Sequence, residues 1–426
     1  MTDINVVKER AIEELKKQGI DVYFIDFYVD DGKPYFVYTF DGSMIEEATE
    51  YYKNNWIVEG AFDDWSFGDT DKPEDWLVAD ICNTIKRRIG SNNNAENKYT
   101  REDLKTMQAW SLERKIQVTQ TRLIEWYQKF KGKVYVSFSG GKDSTVLLHI
   151  ARQLYPDIEA VFVDTGLEYP EIREFVKTFD NVTWLKPEMN FREVVTKYGY
   201  PMISKRISHH VSVARRNPDG RVAQYFVPGN AWDVKYNGKY SQVKYEKLIN
   251  ADFLIDRRCC DVMKKKPFKS HTKQTGKKPI VATMACESEL REKAWLNNGC
   301  NAFDAKYPQS SPMSFWTEQD VLEYIHRFNI SYASVYGNIV EENGKLKTTG
   351  CHRTGCVFCG FGAHLEEEPT RFQRLKETHP KLYNYCLNGG EYDDKGLWRP
   401  TKDGLGMHHV FEELNRLYGD GFIKYE

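Results

Sequence analysis

The sequence predicts an α/β protein built on a doubly wound parallel sheet, with a small acidic α+β module before it and a helical C-terminal region after it. Three observations carry that prediction. Apolar runs of strand length alternate with helical segments from residue 133 onward, the pattern of a parallel sheet covered on both faces. The stretch "VYVSFSGGKDSTVLLH" (134–149) switches from a strand pattern to a helix pattern across a Gly-rich turn. The first 80 residues carry 20 Asp+Glu against 7 Lys+Arg, a net of −13, so the rest of a chain with total charge −2 carries +11. An acidic appendage on a basic body implies either a polyanionic partner for the body or two solvated faces of opposite sign.

Residues 1–17 form an amphipathic helical pattern, and "VYFIDFYVDDGKPYFVYTFDG" gives two aromatic strands turning at Asp31-Gly32. A polar, Asn-rich stretch at 90–100 marks a linker. These signals place an acidic accessory module with its linker at 1–100, an α/β domain at 101–310 and a C-terminal region with helices at 311–426. In the helix before the Gly-rich turn, Leu112, Ile116, Thr119, Leu123, Trp126 and Phe130 recur at steps of four and three and define one packing face. Strands are then expected at 133–138, 159–164, 181–187 and 278–285, with helices between them. A 41% hydrophobic content suits a large core, and no apolar run is long enough to span a bilayer. The mixed N-terminus does not read as a secretory signal, which implies a cytoplasmic protein with reduced thiols and no membrane partner.

The turn "SFSGGKDST" has the properties of a phosphate cradle. Gly140 and Gly141 permit close approach of an anion to the main chain, and the N–H groups opening the next helix point at it. Lys142 adds charge, and Ser139, Ser144 and Thr145 add hydroxyls. The run lacks the Gly-x-x-x-x-Gly-Lys-Ser/Thr spacing that holds the outer phosphates of ATP, and it lacks Gly-x-Gly-x-x-Gly. A second candidate is Asp164-Thr165-Gly166, at the carboxyl end of the next strand, where open α/β sheets bind ligands.

Nine cysteines are unevenly spread. Cys259-Cys260 and the distant Cys356-x-x-Cys359 can send four thiolates to one centre, and spacing alone reads as structural zinc first. Cys351 lies in the same late loop. Cys82, Cys286, Cys300 and Cys386 stand alone and are expected to be small buried hydrophobes. The region 257–278 holds nine Lys+Arg and one Asp, either a solvated surface or a contact for phosphates.

Taken in order, SGGKDS, "FVDTGLEYPE", the Cys-Cys pair, "MACESELREKAW" and the CxxC resemble the phosphoadenosine phosphosulfate (PAPS) reductase family. That family lies within the ATP pyrophosphatase, or adenine nucleotide alpha-hydrolase-like, superfamily. The resemblance covers about residues 105–388 and implies an adenine nucleotide, ATP or adenylyl sulfate, at Ser139, Gly140, Gly141, Lys142, Asp143, Ser144 and Thr145. It implies that Asp164, Thr165 and Gly166 lie near the adenosine, that Lys142, Asp143 and Arg291 serve the reaction, and that Mg²⁺ shares the phosphate charge. It shifts the cysteine centre toward a [4Fe–4S] cluster, with zinc the alternative, on four of Cys259, Cys260, Cys351, Cys356 and Cys359. The family's sulfonucleotide reductases carry a cysteine in a terminal Glu-Cys-Gly-x-His motif, and "GMHHVFEELNRLYGDGFIKYE" has none. The leading expectation is therefore ATP-driven adenylation coupled to sulfur transfer to a nucleic-acid acceptor, tRNA or DNA, from an unidentified sulfur donor. The alternatives are sulfonucleotide reduction with an external thiol or Cys386, and a non-enzymatic nucleotide sensor with a structural metal.

Overall fold

The computed structural model describes residues 4–30, 33–39, 58–61, 78, 79, 81, 82, 85, 97–230, 238 and 241–426. The chain divides into two compact units, Met1–Glu96 with Arg216–Val243, and Asn97–Arg215 with Lys244–Glu426.

In the first unit the helix Ile4–Lys16 buries Val7, Ala11 and Leu15, one residue per turn of a single stripe. Strands Tyr23–Asp30 and Lys33–Thr39 pair antiparallel, as the aromatic alternation predicts. The turn at Asp31-Gly32 itself lies outside the described residues. A third strand, Val58–Ala61, adds to the second. Phe36 and Tyr38 share a core with Val78, Ile81, Cys82 and Ile85.

The second unit is organised by a six-stranded sheet. Its spatial order is Val182–Leu185, Ala160–Val163, Val134–Ser137, Lys278–Ile280, Gln309–Ser310 and Asn301–Ala302. The first five strands run parallel, and only the edge strand Asn301–Ala302 is antiparallel to its neighbour. The expected doubly wound parallel sheet is therefore present. The chain starts at the central strand, moves outward through 160–163 and 182–185, and returns to the other side at 278–280. Strand order thus reverses beside Val134–Ser137, and the crevice at such a reversal is where this architecture binds ligands.

The expected boundary at 310/311 does not divide this unit. Strand Gln309–Ser310 pairs with Lys278–Ile280, and helix Glu318–Arg327 covers the phosphate-loop helix Lys142–Leu154. Part of the expected linker is also structured. Tyr99 packs against Trp295 with ring centroids 5.0 Å apart, and Thr100 caps helix Arg101–Gln108.

Helix Leu112–Lys129 differs instructively from its sequence pattern. Leu112, Thr119, Leu123 and Trp126 are buried, but Lys115 replaces Ile116 on the buried face. Its Nζ donates to both Asp320 carboxylate oxygens at 2.7 Å and to the Gln108 carbonyl at 2.7 Å. Asp320 also accepts from Thr317 N at 2.7 Å, closing the capping box of helix Glu318–Arg327. Apolar periodicity could not reveal this, because it scores lysine as outward-facing. Among the described residues no helix is long and apolar enough to cross a membrane.

Candidate active site

The phosphate loop follows the central strand. Gly140 holds φ +71, and a Cβ there would lie 2.8 Å from methyls of Ile172 and Val176, so only glycine fits. Gly141 is the N-cap of helix Lys142–Leu154 without a side-chain cap. The loop's amides are held by hydroxyls. Ser139 N donates to Ser144 Oγ (3.2 Å), Gly141 N to Ser139 Oγ (3.3 Å) and Lys142 N to Tyr336 Oη (3.4 Å). These oxygens sit where phosphate oxygens could take over as acceptors. Ser144 and Thr145 hydroxyls donate to the Gly141 carbonyl at 3.0 and 2.9 Å.

Lys142 is placed differently from a free phosphate-binding cation. Its side chain is 4% exposed and its Nζ donates to Glu318 at 2.9 Å. It also lies 5.0 Å from the Tyr336 ring centroid. Burial pushes the Asp143 carboxyl up, opposed by Lys142 and reinforced by Glu318, with Arg353 and Arg291 also pulling it down. A carboxyl raised on folding stabilises the fold only while protonated. Stability therefore falls as pH rises from the ordinary aspartate value to the raised one. Asp143→Asn is expected to remove that loss, so the variant gains on wild type in urea midpoints measured above this interval. Parallel midpoint curves across pH would reject it.

The segment after strand Lys278–Ile280 meets this loop across the crevice. Arg291 forms an ion pair with Glu287, and Arg353 lies 3.6 Å from the same carboxylate. Arg291 thus makes a local pair on its own helix turn, and its charge also acts on Asp143. Cys286 departs from expectation. It is exposed, with Sγ 3.5 Å from the Trp316 carbonyl, because its short helical turn closes the strand end rather than entering the core.

Asp164, Thr165 and Gly166 form a turn that binds itself at the end of strand Ala160–Val163. Asp164 accepts from Arg173 at 2.7 Å, and Thr165 Oγ1 donates to Glu168 at 2.8 Å. The next helix, Pro170–Lys177, has Tyr169 as its N-cap. Beside this turn a pocket of about 80 Å³ is lined by residues including Phe138, Ser139, Phe162, Tyr169, Lys264 and Thr354.

Cys259, Cys260, Cys356 and Cys359 line one pocket with Lys264. The first pair enters on a π-turn, Asp261–Lys265. The second pair is fixed by Val357 N donating to the Leu167 carbonyl (2.9 Å) and by strand Gly360–Phe361 pairing with Met202–Ile203. Ile203, a β-branched residue, is held there at φ +63. Burial raises the Cys356 thiol and holds Cys359 up to about 11. Of the adjacent pair, Cys260 is drawn down by its neighbour Cys259, against its own burial and with help from Lys205 and Lys264. Cys351 does not line this pocket, and burial raises its thiol, opposed by the nearby Tyr169.

This donor set admits a test of fit. About 2.3 Å from sulfur to zinc puts four tetrahedral sulfurs roughly 4 Å apart. Among the described residues no group of three or more His, Cys, Asp or Glu side chains is placed to hold a metal ion. Four cysteines around a common pocket are the donor type of a structural zinc or of an iron–sulfur cluster alike. The pocket is closed to about 20 Å³, roughly one water, so a cluster needs the cysteine side chains to swing outward.

Cys386 is fully buried against the Met407 sulfur, and burial pushes its thiol far up. It cannot serve as the reductase nucleophile, which corrects that alternative. Cys386→Ala is expected to leave nucleotide binding unchanged and to lower stability modestly. A change in nucleotide affinity at unchanged fold would contradict the burial argument. The basic stretch 257–278 is also less available than its composition suggests. Arg258, Lys264, Lys265, Lys266 and Lys277 each have a carboxylate partner within 4.0 Å.

Sequence reasoning missed Glu318, Tyr336, Thr354, Arg353 and the individual role of Lys264, which lines both pockets. Only "HRTG", polar residues between Cys351 and Cys356, offered a signal.

Residues 133–210 match the sequence model of the phosphoadenosine phosphosulfate reductase domain. An uncharacterized protein of Methanocaldococcus jannaschii is 27% identical over 65% of this chain, which spans 54% of that relative's length. The adenosine 5'-phosphosulfate reductase of Anoxybacillus flavithermus is 23% identical over 58% of this chain and 81% of its own. The crystal structure of phosphoadenylyl-sulfate reductase from Candida auris aligns at a TM-score of 0.30 and 12% identity, over 58% of this chain and 97% of that one. The comparisons thus identify a phosphoadenosine phosphosulfate reductase domain at residues 133–210, a domain type of the adenine nucleotide alpha-hydrolase-like superfamily.

Proposed function

We propose that this protein is an adenine-nucleotide-dependent enzyme whose phosphate site at Ser139–Thr145 works beside a [4Fe–4S] cluster on Cys259, Cys260, Cys356 and Cys359. The observation that carries the reading is the shared wall between the two pockets, where Lys264 lines both the cysteines and the cavity at Phe138 and Ser139. A bound cluster would supply a site that holds or delivers sulfur.

In the first reading the substrate is ATP. An acceptor oxygen on tRNA or DNA attacks the α-phosphate, the bond to the outer two phosphates breaks, and pyrophosphate leaves. Hydrosulfide then displaces AMP to give the thiolated acceptor; where a protein persulfide attacks instead, AMP leaves from an acceptor–S–S–protein disulfide that two external thiols cleave to the thiolated acceptor, the protein thiol and a thiol disulfide. The loop amides and hydroxyls of Ser139 to Thr145 hold the pyrophosphate, with Mg²⁺ sharing its charge. A second reading is favoured by the name of the Anoxybacillus relative. Here adenylyl sulfate occupies the same loop, and an external thiol attacks its sulfur and expels AMP. A second thiol then forms a disulfide and releases sulfite.

Anaerobically purified protein should be incubated with ATP plus tRNA or DNA, and separately with adenylyl sulfate plus a dithiol. Acceptor-dependent pyrophosphate supports the first reading, and sulfite supports the second. Neither product from protein that binds AMP would reject both.

A further inference from the structure

The cation in the phosphate loop is already committed. Lys142 is buried and bound to Glu318, so a nucleotide's charge must be met by another group or Lys142 must abandon its partner. We propose that Arg353, carried by the loop that also delivers Cys356 and Cys359, is an anion ligand of the nucleotide site. The inference rests on the adenine-nucleotide reading above.

Four observations support it. First, the cysteine loop lies on the phosphate loop. Thr354 Oγ1 is 2.7 Å from Tyr336 Oη, the group that accepts from Lys142 N. A Cβ on Gly141 would stand 3.9 Å from Thr354 Oγ1. Second, Arg353 is the residue next to that contact, and its side chain remains 65% exposed. Third, its ion partner is weakly held. Glu287 lies 3.6 Å away, beyond a hydrogen bond, and already pairs with Arg291 and accepts from Met284 N at 2.9 Å. Fourth, Arg353 stands at the crevice where strand order reverses, close enough for its charge to act on Asp143. A guanidinium there can swing from Glu287 to a phosphate and bind it through two parallel N–H donors. An exposed side chain also makes that exchange without unpacking the core.

The test uses the full chain and two probes, AMP and adenosine, titrated by calorimetry. Arg353→Gln is expected to weaken AMP about tenfold or more and to leave adenosine unchanged. Arg353→Lys should recover part of the loss, since it keeps the charge but not the fork. Unfolding midpoints equal to wild type would show that the variants fold, as a 65%-exposed side chain implies. AMP affinity within twofold of wild type would overturn the inference. So would equal losses for AMP and adenosine, which would indicate a distorted pocket rather than a lost anion ligand. Wild type that binds neither probe would overturn the nucleotide reading itself, and this inference with it.

Discussion

Lys115→Met is expected to destabilise the second unit by about 3–5 kcal/mol, the usual cost of leaving one half of a buried ion pair behind. Lys115 is 2% exposed and Asp320 12%, and the two are joined at 2.7 Å. Methionine fills the volume of the lysine stem but offers nothing to the Asp320 carboxylate or the Gln108 carbonyl. Thr317 retains its bonds to Asp320, so the cap survives while the charge is stranded. Urea unfolding followed by the fluorescence of Trp126 and Trp316, both buried, reads the loss. Lys115→Met combined with Asp320→Asn should recover much of it, because the unpaired charge disappears. A single-variant loss under about 1 kcal/mol would show that water reaches the carboxylate and that the pair acts as a surface contact.

The second large effect concerns the cysteine pocket. On the proposed assignment, anaerobically purified wild type contains about four irons with matching sulfide. Cys356→Ser is expected to lose that iron and the accompanying visible absorbance. Cys351→Ser is expected to keep both, because Cys351 does not line the pocket. Iron lost from Cys351→Ser and retained in Cys356→Ser would reverse the assignment. Colourless wild type containing zinc and no iron would reject the cluster outright.

The sheet and the phosphate loop were legible in the sequence for a physical reason. Buried parallel strands must be apolar along their whole length, and a sharp turn onto a helix needs glycine at a positive φ. Both constraints leave a local signature, and strands at Val134–Ser137, Ala160–Val163 and Val182–Leu185 fall inside their expected ranges. The four-cysteine set was legible as a group of five candidates but not as four, because spacing cannot say which way Cys351 turns.

What stayed hidden depends on partners far apart in the chain. Lys142 reads as a phosphate ligand until Glu318, 176 positions later, is seen to hold it. Lys115 reads as solvent-facing until Asp320 is placed beside it. Cys286 reads as a core filler until its short turn is seen to leave it exposed. Arg353 is one basic residue among many until the loop that carries it is laid over Tyr336.

The central position of strand Val134–Ser137 also sets an order of events during folding. One neighbour, Ala160–Val163, is close in sequence and cheap to recruit. The other, Lys278–Ile280, requires closing a loop of well over a hundred residues. A chain emerging from the ribosome therefore carries its phosphate loop long before it owns the opposite wall of the crevice. Glu318, Tyr336 and Arg353 arrive later still. The proposed nucleotide site is thus assembled from one early half and one late half, and its completion reports that the whole sheet has closed.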